Sequence, residues 1–152
     1  MKLNIELIPK RQWGKNCRTL LKQSQWDKIR KYMYEKKNYQ CEICKGQGKK
    51  HPVECHEVWK YKGKTQKLVK LEVLCPTCHK VKHIGRIEFS RGYSKKAEKY
   101  YQKILKHFRK INKISKSKAQ RKIQEAFIQN SYRSEIKYKV DIKLAKKLLK
   151  KI

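Results

Sequence analysis

Two cysteine pairs, Cys41-x-x-Cys44 and Cys75-x-x-Cys78, and the histidines His56, His79 and His83 are the residues of this chain whose types and spacing could do chemistry. Each short Cys-x-x-Cys turn presents two thiolates from one side, and two such knuckles complete a tetrahedron, so the four cysteines read as ligands of a structural Zn2+. His79 and His83 are spaced by one helical turn and share a face. A strand histidine meeting two helix histidines can gather around one ion, with an imidazole beside it to take a proton from a water that attacks phosphorus.

Those side chains need a hairpin and a helix to position them. Val53 to Trp59 is rich in β formers, Lys60 to Lys67 carries Gly63 and reads as a loop, and Leu68 to Leu74 reads as a second strand. Pro76 then suits the first turn of a helix carrying Cys78, His79 and His83 and ending near Gly85. The order is strand, strand, helix, with a knuckle at each end.

The flanks follow the same logic. Leu3, Ile5 and Leu7 alternate with polar residues up to Pro9, which predicts a short edge strand or an extended arm. A helical turn is expected near Cys17 to Leu21, and Ser24-x-x-Asp27, read as a capping box, predicts a helix over 24–37 that buries Trp26 and Met33. Ser94 caps a helix on which Ala97, Tyr101, Ile104, Leu105, Phe108 and Ile111 recur with helical period. A second helix from Ser115 or Ser117 buries Ala119, Ile123, Ala126 and Phe127, and a third, capped by Asp141, buries Ile142, Ala145 and Leu148. The expected fold class is α+β: an N-terminal arm and helix over 1–40, a zinc-stapled core over 41–92, and a C-terminal helical extension over 93–152, packed as one domain.

Charge indicates the partner. The formal net charge is +31, from 43 Lys and Arg against 12 Asp and Glu. Part of this is lysine-rich bias, but residues 99–124 hold no acidic residue before Glu125, and such a stretch attracts phosphate. Nucleic acid, double-stranded DNA first, is the expected partner, and a membrane is not. Arg109, Asn112, Arg121 and Arg133 are candidate phosphate contacts, and Trp13, Trp59 and Tyr93 candidate stacking residues, with packing the alternative for the tryptophans. Asn4, Glu6 and Pro9 interrupt any apolar leader, so a cytoplasmic chain is expected, its cysteines serving as ligands rather than disulfides. Cys17 reads as a small buried residue, and His51 and His107 as ordinary polar ones.

From Cys41 to His83 the chain resembles the HNH family of ββα-metal endonucleases. The stretches IPKRQWGKNCR, FRKINKIS, AFIQNSYRS and VDIKLA resemble the flanks of small bacterial and phage proteins of that family. The resemblance implies a metal-dependent DNA endonuclease whose knuckle zinc substitutes for a large core. It implies His56 as the general base, His79 as a helix metal ligand, and His83 as a second ligand or a contact to the scissile phosphate. Cys55 stands where the family usually has an Asp or His metal ligand, and Glu54 and Glu57 are candidates for supporting or substitute roles. A soft thiolate there favours Zn2+, Ni2+ or Mn2+ over Mg2+ as the catalytic ion. The family's central Asn has no counterpart between His56 and His79, with Glu72 or Gln66 as the residues that would take its place. The alternative is a second, bracing zinc held by Cys55, His56, His79 and His83 in a non-catalytic nucleic-acid-binding or accessory protein.

Overall fold

The computed structural model describes residues 1–152. In chain order its elements are α1 (Cys17–Leu20), α2 (Gln23–Lys36), β1 (Glu54–Lys62), β2 (Thr65–Leu74), α3 (Pro76–Lys82), α4 (Ile84–Ser90), α5 (Lys95–Asn112), α6 (Lys116–Ser134), β3 (Lys139–Asp141) and α7 (Lys143–Leu149). The class is α+β. No helix is long and apolar enough to cross a membrane.

β1 and β2 form an antiparallel hairpin in which His56 faces Glu72 across the ladder and Lys62 faces Thr65. Gly63 and Lys64 alone make the turn, and Gly63 takes φ 52°, the left-handed conformation that such two-residue turns require. The loop expected over Lys60 to Lys67 is therefore mostly strand. One reason lies outside the local sequence: β3 runs parallel to β2, pairing Gln66 with Val140, and so supports the far end of the hairpin. β3 has only three residues and leaves no periodic signal of its own.

The sheet separates two apolar clusters. On one face Leu68, Leu71 and Val73 pack with Trp26, Ile29 and Met33 of α2 and with Ile142 and Ala145 at α7. On the other, Val81 of α3, Ile84 and Ile87 of α4, and Tyr101, Ile104, Leu105 and Phe108 of α5 pack around Cys41, Cys75 and Cys78. The amphipathic stripe of α5 is thus spent on the cysteine cluster. Its cap is the expected one, with Ser94 Oγ accepting from Ala97 N at 3.1 Å, and Ser115 Oγ caps α6 by accepting from Lys118 N at 3.1 Å.

Two local readings need correction. α2 starts one residue before Ser24: the Lys22 N–H donates to Gln25 Oε1 at 3.0 Å, and Asp27 pairs with Arg30 at 2.7 Å instead of closing a capping box. Gly85, expected as a helix stop, lies inside α4. The break falls at His83, and Gly85 serves close approach, since a Cβ there would sit 2.9 Å from Leu7 Cδ2.

That close approach docks the N-terminal arm. Residues 1–9 form no strand, but the Glu6 N–H donates to Lys82 O at 2.8 Å and Leu3 is fully buried. Asn112 brackets Leu3, its Oδ1 accepting from Leu3 N at 3.1 Å and its Nδ2 donating to Leu3 O at 2.8 Å. The candidate phosphate contact Asn112 is therefore engaged in structure: its amide is occupied by backbone.

Candidate metal centres

The first centre is sulfur. Cys41 and Cys44 lie in the knuckle before β1, Cys75 caps α3 and Cys78 sits in its first turn, and the four Sγ atoms lie within 4.8 Å of one another. A tetrahedron of thiolates around a zinc-sized ion puts sulfurs about 3.8 Å apart, from a metal–sulfur bond of about 2.3 Å. The Cys44 and Cys75 sulfurs are 3.5 Å apart and all four lie within 4.8 Å, close to the spacing that a bound ion requires. Backbone N–H groups already point at the sulfurs, Gly46 N to Cys44 and Cys78 N to Cys75, both at 3.4 Å. Hydrogen bonding from Cys75 and Cys78 pushes the Cys41 thiol far down, while Cys41 and Cys75 push Cys78 far up. So many thiols at this spacing cannot all ionise unless a cation offsets their charge. His107, read from sequence as an ordinary polar residue, reaches from α5 to within 3.1 Å of the Cys78 sulfur.

The second centre is imidazole. His56 on β1, His79 on α3 and His83 at the α3–α4 junction also offer ligand atoms within 4.8 Å of one another. Their rings meet edge to face, with centroids 4.9 to 5.2 Å apart. Carboxylates occupy one nitrogen on two of them. Glu54 Oε2 accepts from His79 Nδ1, which leaves Nε2 as that ring's free nitrogen. Glu6 Oε2 accepts from His56 Nε2 at 2.8 Å, which leaves Nδ1. Burial pushes the His56 pKa below the ordinary imidazole value despite the opposing pull of Glu6, and burial beside His56 and His79 takes His83 down to about 3. Both rings are neutral at neutral pH, with lone pairs available.

Glu6 was not visible as a site residue, because it lies 50 positions from His56 and arrives only when the arm docks. Burial alone would raise its pKa, but His56 and Lys82 hold it down at about 2. Lys82, only 2 % exposed, donates to Glu6 at 2.6 Å and to Asn4 at 2.6 Å and lies 3.1 Å from Glu72. Glu72, one of the two candidates for the missing central Asn, therefore belongs to this network. Gln66, the other, faces Tyr61 near the hairpin turn, far along the ladder from His56.

Cys55 is not in the histidine group. Strand alternation turns it away from His56, and it packs with the α2-side apolar cluster, where burial and the nearby Glu57 push its thiol up to about 12. Glu57 points the same way and accepts from Cys17 N at 2.9 Å. Neither is placed to ligate an ion with the histidines, and the four-ligand bracing site built on Cys55 loses its fourth donor. Cys17 is fully buried, as expected, and none of the six cysteines is in a disulfide.

The histidines form part of the wall of a cavity of about 880 Å³, which also carries Trp13, Lys15, Arg18, Lys80 and Arg86. Among the remaining candidates, Arg121 is exposed, Arg109 is half-buried, and Arg133 stacks over the Tyr61 ring at 4.8 Å. Tyr93 is 87 % exposed, while Trp59 is half-buried against the α2-side cluster. Comparison with known protein families, with curated proteins and with solved structures finds no match to this chain.

Proposed function

We propose that the protein is a metal-dependent DNA endonuclease of the HNH type, hydrolysing phosphodiester bonds with His56 as the general base. The observation that carries this reading is the convergence of His56, His79 and His83 on one wall of a cation-bearing cavity, with Glu6 and Glu54 each taking one ring nitrogen. Such a pairing fixes both the tautomer and the direction of the free lone pair.

In this reading His56 receives the proton of the attacking water on Nδ1, while Glu6 accepts its Nε2–H and stabilises the imidazolium that forms. Lys82 holds Glu6 in place from behind. His79, oriented by Glu54, and His83, neutral through burial, are the residues that would hold a divalent ion. When bound, that ion supplies Lewis-acid stabilisation of the charge developing on the phosphate and leaving oxygens. With Cys55 outside the set, the preference for Zn2+, Ni2+ or Mn2+ over Mg2+ rests on imidazole donors alone. The cysteine quartet holds a structural Zn2+, and the lysine-rich surface supplies salt-sensitive attraction to the DNA backbone.

Supercoiled plasmid cleavage after removal of the weakly held ion is the test. Cutting should disappear, return with Zn2+, Ni2+ or Mn2+ more than with Mg2+, and stay absent in His56→Ala with every ion. Tight DNA binding without cleavage under all these conditions would replace this reading with that of a metal-stapled binding protein.

A further inference from the structure

The wall of the histidine cavity carries a feature that backbone binding does not use. Trp13 is 65 % exposed and Phe89 71 % exposed, and both line the same cavity as His56, His79 and His83. Neither ring is loose: Trp13 Nε1–H donates to Ile8 O at 3.0 Å, and Phe89 meets Phe127 edge to face with centroids 5.9 Å apart. Lys15, Arg18, Lys80 and Arg86 share the wall, and its single acidic residue, Glu57, is taken up by the Cys17 N–H. Fixed aromatic faces among cations suit a flat, uncharged ring attached to an anionic backbone.

We infer that this cavity takes an unpaired nucleotide beside the phosphate to be cut, so that the preferred substrate is duplex DNA interrupted by a gap, flap or bulge rather than a continuous duplex. A base within an intact stack offers only its edges in the grooves, whereas an unstacked base offers its face to Trp13 or Phe89. The four cations then contact the phosphates on either side of that base, which brings the backbone to the histidines. The position of the cut phosphate rests on the nuclease reading; the binding of the unpaired base does not.

The experiment is fluorescence anisotropy of the full chain carrying His56→Ala, with 20-base-pair duplexes that are continuous or carry a one-nucleotide gap or bulge. Interrupted duplexes should bind on the order of tenfold more tightly than the continuous one, in keeping with one base–aromatic stack. Trp13→Ala, at an exposed position where folding is not at stake, should remove that advantage while leaving continuous-duplex affinity unchanged. Trp13→Phe, which keeps a ring, should retain most of it. Equal affinity for continuous and interrupted duplexes, or equal weakening of both by Trp13→Ala, overturns the inference. Wild-type protein that selects interrupted duplexes but cuts none of them would sink the nuclease reading and leave this one standing.

Discussion

The cysteine and histidine clusters share α3, yet their donor sets and their partners differ. At the N-terminal end of α3, four sulfurs that could hold a metal ion lie within 4.8 Å of one another, three of the cysteines packed into the larger apolar core. Further along, three nitrogens offer an incomplete set at a cavity wall, with carboxylates behind two of the rings. A closed four-donor set leaves no position for substrate, whereas an open set with oriented rings does. The two clusters therefore differ in donor count, four against three, and in the carboxylates that fix two of the histidine rings, whereas burial does not separate them: His56 is as buried as the cysteines.

The largest effect is expected at the cysteine cluster. Cys41→Ser or Cys78→Ser should unfold the protein, since structural zinc contributes on the order of 10 kcal/mol, and circular dichroism with metal analysis would show it. A variant that stays folded with no bound metal would refute the structural role.

On the other side of the comparison, His56→Ala should keep the fold and lower plasmid cleavage by about 10²- to 10⁴-fold, the usual worth of a positioned general base. The acid limb of the wild-type pH profile follows in sign. The base works only when neutral, and burial holds the His56 pKa below the ordinary imidazole value, so activity should persist below pH about 6.5 and fall only at lower pH. A limb centred above that value would exclude His56 from the role.

Smaller effects sharpen the contrast. Glu6→Gln removes the charge that raises the His56 pKa and leaves only a weaker, neutral acceptor for its Nε2–H, so the acid limb should move to still lower pH while cleavage drops on the order of tenfold. No movement of the limb would show that Glu6 only packs. Asn112→Ala should cost about 1–3 kcal/mol in thermal or urea unfolding, because the bracketed Leu3 backbone is left unsatisfied, with DNA affinity unchanged. The smallest effect belongs to Cys55→Ser, which should leave both metal content and cleavage as they are. Loss of a bound ion in that variant would return Cys55 to the ligand set.

The residues from Cys41 to His83 were legible in sequence because their order is a local property. Knuckle spacing, a helical histidine pair and the strand, strand, helix order are written within a few turns of chain, and Ser94, like Ser115 as one of two candidate starts, announced its helix through capping chemistry together with the helical recurrence of the apolar residues that follow. What escaped was everything set by residues distant in sequence. Glu6 reaches His56 only because Gly85 lets Leu7 approach α4, His107 reaches Cys78 only because α5 lies across the cysteines, and β3 exists only because β2 offers an edge. The fate of Cys55 was decided the same way. Adjacency to His56 in sequence suggested a shared ion, but successive strand residues face opposite sides, so the half-buried thiol packs against the α2-side cluster while its neighbour meets the other histidines. Ligand types and their local spacing were the sequence's to determine. Which of them share one space was decided by the packing of helices against the two faces of a twisted hairpin.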